Sequence, residues 1–181
     1  MQGGLKMVAT FSWVESNATA GDTSVPTNLN LGSTNAANLA PSTYPITAGT
    51  YSYSKWVQGM WTGSFTRIDN LQFWMSASGT GYVTGETLVV SATTASYAGT
   101  DTYATPTGAT STVDSQAANA MPTADPTAAN IGIDGSLTGS VTSSTAGSNV
   151  SDFIVIQASI TGAASAGAVQ TKTFTLQYDE V

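Results

Sequence analysis

Residues 152–161 read Asp-Phe-Ile-Val-Ile-Gln-Ala-Ser-Ile-Thr, and the fold turns on this stretch. Four apolar residues in a row, Phe153 to Ile156, include three β-branched ones and predict a strand buried on both faces. Residues 162–167 (GAASAG) predict a turn, and residues 168–178 a closing strand whose apolar members are Val169, Phe174, Leu176 and Tyr178. Val169 is out of phase with the other three, as a bulge would make it. Towards the N-terminus the same signal recurs. Residues 131–142 show a period of two through Ile131, Ile133, Leu137 and Val141, followed by a polar turn at 143–149. Residues 82–92 predict a strand ending in Leu88-Val89-Val90. Residues 63–76 (GSFTRIDNLQFWMS) are the densest aromatic segment, with Leu71, Phe73 and Met75 on one face and Trp74 on the other. Residues 50–58 alternate Tyr51, Tyr53 and Val57 against Ser52, Ser54 and Trp56, and residues 5–15 supply an opening strand.

Between these strands lie two weakly patterned stretches. Residues 17–49 predict an irregular arm with a brief strand near Leu29–Leu31. Residues 93–130 are mostly Thr, Ala, Ser and Asn, a low-complexity segment expected to be ordered by a partner. Its Ala-rich part, 117–129, is broken by Pro122 and Pro126. Helix formers are scarce, and there is no internal repeat. The expectation is one domain over 1–181, an all-β antiparallel sandwich of jelly-roll type with long polar loops or arms at about 17–49 and 93–130.

Charged residues make up 8% of the 181, against about 25% in ordinary soluble domains. Ser, Thr, Ala and Gly supply roughly half the chain, where ordinary usage is far lower. A surface poor in Lys and Glu loses little side-chain entropy when covered, and interfaces are depleted in the same residues. The plainer alternative is a surface kept soluble by hydroxyls alone. The net charge is −7, and the four cations, Lys6, Lys55, Arg67 and Lys172, form no stripe, which argues against nucleic acid. No apolar run reaches membrane-spanning length, and the first residues, MQGGLKM, do not resemble a signal peptide. The absence of Cys excludes disulfides and thiolate metal sites.

The absence of His removes the Ser-His-Asp triad and the usual general base. Ser52-Tyr-Ser-Lys55 matches the S-x-x-K pattern of acylases, but strand alternation sets Ser52 and Lys55 on opposite faces and the companion motifs are missing. Asp179 and Glu180 are the only adjacent acids and sit at the chain end. Asp101, Asp114, Asp125 and Asp134 offer loop oxygens for Ca²⁺ without the spacing of a calcium loop. The Gly79-Thr-Gly81 stretch lacks the Lys and helix of a phosphate loop. No catalytic, metal or cofactor residues are therefore expected. Trp56, Trp61 and Trp74 remain, as core filling, as a sugar-stacking platform, or as interface anchors, with Trp74 the best anchor.

Two segments, GSFTRIDNLQFWMS (63–76) and SDFIVIQASITGAASAGAVQTKTFTLQYDEV (151–181), resemble small virion structural proteins of tailed bacterial or archaeal viruses, among them capsid decoration (cement) proteins. The likeness lies in the strand F-T-x-I-x-N-L-x-F-W and the closing strand F-T-L-Q-Y-D-E-V, about a quarter of the chain. It implies a cofactor-free sandwich on the surface of a virion. Such a protein is made in the host cytoplasm, often trimeric, and bound to a major capsid protein. The alternatives are a tail, fibre or surface carbohydrate-binding adhesive module, or a self-assembling shell or tail-tube subunit.

Overall fold

The computed structural model describes residues 8–17, 23–76, 82–94, 97, 102–106, 108, 113–165 and 171–181. Among the described residues eight strands are present: β1 (Ala9–Ser16), β2 (Thr23–Ser24), β3 (Lys55–Gly63), β4 (Ile68–Ser76), β5 (Glu86–Val90), β6 (Asn119–Ala120), β7 (Ile154–Ile160) and β8 (Thr173–Glu180). They form two antiparallel sheets, one of six strands in the order β2-β1-β3-β7-β5-β6 and one of two, β4-β8. The expected all-β sandwich is what the chain forms; these strand orders establish its two layers and not a jelly-roll winding.

β7 holds the centre of the larger sheet, between β3 and β5, as its apolar run predicts. Period-two alternation then divides its side chains. Ile154, Ile156 and Ala158 join Val57, Trp61, Phe73, Met75 and Leu88 in the core between the sheets. Phe153 and Val155, on the other face, pack with Trp56 and Ala117 in a smaller cluster. At about 25 cal/mol per Å² of apolar area removed from water, this two-sided burial makes β7 the strand that the sandwich can least spare.

The far face of the larger sheet needs a cover, and irregular chain supplies it. Tyr103 packs edge-on against Trp56 with ring centroids 5.5 Å apart. A 3₁₀ turn at Ser115–Ala117 is capped by Asp114, whose carboxylate accepts the Gln116 N–H. The 17–49 segment, in its described part, buries Leu39 and packs Leu29 and Leu31 against the core without forming a strand there. Asn38, at φ 54°, uses its Oδ1 to accept the Thr27 N–H and hydroxyl. The described parts of both segments pack against this chain's own sheet.

Two strand expectations are corrected. The strand expected at 50–58 lies at 55–63. Residues 51–54 instead bind sideways: Ser52 N–H donates to Ala158 O, and Tyr53 N–H to Gly32 O. Residues 131–142 form no strand. Asp134 (φ 51°) and Gly135 (φ 72°) make a tight turn closed by reciprocal bonds between Ile133 and Ser136. Ile131, Ile133 and Val141 are still buried, as pegs from a loop. The bulge expected at Val169 falls outside the described residues; an irregularity lies in β4 between Asp69 and Gln72, where Asn70 has φ 53°.

Candidate functional site

The three tryptophans are not brought together. Trp56 and Trp61 are both on β3, an odd number of residues apart, so they point to opposite faces of the sheet. Trp56 is 1% exposed, lies edge-on to Phe153 at 5.4 Å, and donates its Nε1–H to Ser54 Oγ. Trp61 is fully buried and lies edge-on to Tyr178 at 5.2 Å. Neither has an outward ring to offer a partner or a sugar, so both are corrected from interface candidates to core residues. Trp74 is the one left at the surface, only partly buried on the outer face of β4.

That outer face is small and largely polar. Leu71, Phe73 and Met75 turn inward and are buried, while Gln72, Trp74 and Ser76 lie on the opposite face, where Gln72 is itself buried and Trp74 and Ser76 are half-buried. Their partners across β8 are Gln177, Thr175 and Thr173. Gln177 Nε2–H donates to Gln72 Oε1, which fixes both amides. The result is one indole framed by hydroxyls and amides. Charge enters only at one end, where Asp69 pairs with Arg67, and Asp179 accepts from Asn70. The exposed large apolar residues Val8, Val25, Tyr44 and Val181 are scattered and form no such frame.

The interior holds two ion pairs that sequence reading did not find. Lys55 Nζ lies 2.6 Å from Glu15 Oε1 and also donates to Ala36 O, beneath the arm. Burial pushes the Glu15 carboxyl above its ordinary value, outweighing the opposing pull of Lys55. Lys172 Nζ lies 2.7 Å from Glu86 Oε1, and Glu86 Oε2 accepts the Val83 N–H. A signal existed: in so charge-poor a chain, Glu15 closing F-S-W-V-E and Lys55 opening K-W-V interrupt apolar strands. Tyr97, beside the buried Asp152, has its phenol pushed up by burial and by that carboxylate.

None of these groups converges on a reactive arrangement. Ser52 Oγ donates to Tyr53 O and accepts from Ala158 N–H, while Lys55 is committed to Glu15, so the S-x-x-K match has no shared geometry. Of the calcium candidates, Asp114 is used as a cap, Asp125 and Asp134 are exposed, and Asp101 is outside the described residues. Among the described residues no three acids gather as a metal site. A shallow hollow of about 310 Å³ near Pro122 and Pro126 is lined by Ala, Thr and Asn without an ionisable side chain. The geometry therefore defines a β-sandwich with a polar, single-tryptophan outer face. Comparison with protein-family models, with curated proteins and with solved structures finds no match.

Proposed function

We propose that this protein is a non-enzymatic structural component of a virus particle, of the decoration (cement) kind, which binds a shell of capsid subunits and bridges neighbours. The observation that carries the proposal is the outer face of the β4-β8 sheet, where Trp74 stands among Gln72, Ser76, Thr173, Thr175 and Gln177. An aromatic anchor among uncharged polar side chains fits a protein interface. Ser76, Thr173 and Thr175 lose little rotamer freedom on being covered, and the longer Gln72 and Gln177 are already held by their mutual hydrogen bond. With 8% charged residues, the rest of the surface presents few long charged side chains that docking would have to immobilise.

The test is copy-number mass spectrometry on particles from the source, combined with cryo-electron microscopy. The reading expects hundreds of copies at regular positions above a separate shell protein, with Trp74 at the contact. Trp74→Ala protein added to undecorated particles should bind with markedly lower occupancy. A few copies at a vertex or tail would move the protein to a tail or fibre role. Absence from particles, with hits on a glycan array, would replace the proposal by the adhesive reading.

A further inference from the structure

Among the described residues the sheet edges are covered or short everywhere but on one flank. β4 is covered along its outer edge. Met75 N–H donates to Pro122 O, Asn130 N–H donates to Leu71 O, and Ile68 exchanges bonds with Val141. β2 and β6, at the edges of the larger sheet, are each two residues long. β8 is eight residues long, and among the described residues no backbone group pairs with its outer edge. β1 is open beside it, but β2 closes the far end of β1, and the Ala9 N–H at the near end donates to Glu180 Oε1. Burial follows the same gradient. The inward residues of β4 are at most 1% exposed, whereas Phe174, Leu176 and Tyr178 on β8 are only half-buried. Among the described residues no third strand completes the small sheet beside β8.

The direction of the free backbone groups is fixed. Arg67 and Val181 exchange both bonds, at 3.0 and 2.9 Å, so Val181 faces β4. Alternation along β8 then turns the N–H and C=O of Glu180, Tyr178, Leu176 and Phe174 outward. Long, flat edges of this kind are normally blunted by Pro, by an outward Lys or by a bulge. The run Phe174-Thr-Leu-Gln-Tyr178 has none of these, and the irregularity of the small sheet lies in β4.

We propose that this edge pairs with the same edge of a second copy of the chain, antiparallel, about a two-fold axis passing beside Leu176. The register is dictated by the outward groups. Leu176 opposes Leu176 of the second copy, and Phe174 opposes its Tyr178. All of these are hydrogen-bonded positions whose side chains share the core face. A shift of one residue would set this apolar row against Thr175, Gln177 and Asp179. The product is one four-stranded sheet, β4-β8 continued into β8-β4 of the second copy. This inference stands apart from the particle reading, since it concerns the edge of the sheet and not the Trp74 face.

The experiment is light scattering after size exclusion on the full chain, up to about 200 μM because a strand-edge interface is small, together with single-cysteine crosslinking. The chain has no cysteine of its own. Leu176→Cys should crosslink to a covalent dimer under mild oxidation, because opposed hydrogen-bonded positions lie about 5.5 Å apart at Cα, within disulfide reach. Thr173→Cys, far from the axis, should not. On the outer face Thr175 opposes Gln177 of the second copy. T175K/Q177K therefore places like charges together twice and should weaken the dimer by about tenfold or more, whereas T175K/Q177E should keep it. A wild-type chain that stays monomeric at the highest concentration overturns the proposal. So does a dimer equally insensitive to both double variants, and so does Leu176→Cys protein that folds but crosslinks no better than Thr173→Cys.

Discussion

Asn130 takes the place of a strand, and this can be tested by asking what its side chain contributes. Phe73 N–H donates to Asn130 Oδ1 at 2.7 Å, and Asn130 Nδ2–H donates to Phe73 O at 2.8 Å. One buried amide thus satisfies both backbone groups of a fully buried residue at the edge of β4. Asn130→Leu keeps the branched shape of the side chain and removes both hydrogen-bond partners. Each buried backbone group left without a partner costs about 1–3 kcal/mol, so the expected loss is about 2–6 kcal/mol. That is a large share of a total stability of about 5–15 kcal/mol. Asn130→Asp separates the two bonds. A carboxylate still accepts from Phe73 N–H, but its second oxygen faces Phe73 O, and only the protonated acid can donate there. The folded-state pKa of the introduced carboxyl is therefore raised above its unfolded value of about 3.9. The penalty is absent below the unfolded pKa and complete once the pH has passed the raised folded one. Urea unfolding followed by tryptophan fluorescence at pH 7 and near pH 4 reads both effects, as the change in midpoint at constant slope. The gap between Asn130→Asp and wild type should shrink as the pH falls. The reasoning is refuted if Asn130→Leu loses less than about 1 kcal/mol, or if the gap does not change with pH.

Further outcomes are expected. Lys55→Met alone should cost about 3–5 kcal/mol by stranding the buried Glu15, while Glu15→Leu/Lys55→Met together should be close to neutral, as a double-mutant unfolding cycle will show. Because burial raises the Glu15 pKa, its neutral form is favoured by folding. Stability is then lost as pH rises from the ordinary value of 4.5 through the raised one, and Glu15→Gln should flatten that part of the pH–stability curve. Gly59→Ala should lower the melting temperature through an overpacking cost of about 1–3 kcal/mol, because a Cβ there meets Leu176 Cδ2 at 2.7 Å in the gap between the sheets. Trp61→Ala should cost about 3–5 kcal/mol and Trp74→Ala far less, a contrast that thermal unfolding of the two variants will expose.

The sequence made legible whatever a single strand decides for itself. Phe153–Ile156 predicted a strand buried on both faces, and β7 lies between β3 and β5 with apolar clusters on each side. Alternation in β4 predicted which of its residues face inward, and with that it left Trp74 on the surface. What stayed hidden depends on pairs far apart in the chain. Glu15 meets Lys55 across 40 positions and Asn130 meets Phe73 across 57, and neither partner carries a local mark of the other. The period of two at 131–142 misled for a related reason. Burial selects apolar residues at intervals whether they sit on a strand or peg a loop to the core, and Asp134-Gly135 turns the chain back between the pegs.

These hidden contacts share a cause. A two-stranded sheet is at best marginal alone, so the β4-β8 layer must draw hydrogen bonds and cover from elsewhere. On the β4 side they come from within the chain, through Asn130, Pro122 and Val141. On the β8 side the described chain supplies the Glu180 carboxylate to Ala9 N–H, while the rings of Phe11 and Trp61 lie on Tyr178 at 5.9 and 5.2 Å. The same physical need that makes Asn130 indispensable on one edge thus leaves an opening on the other.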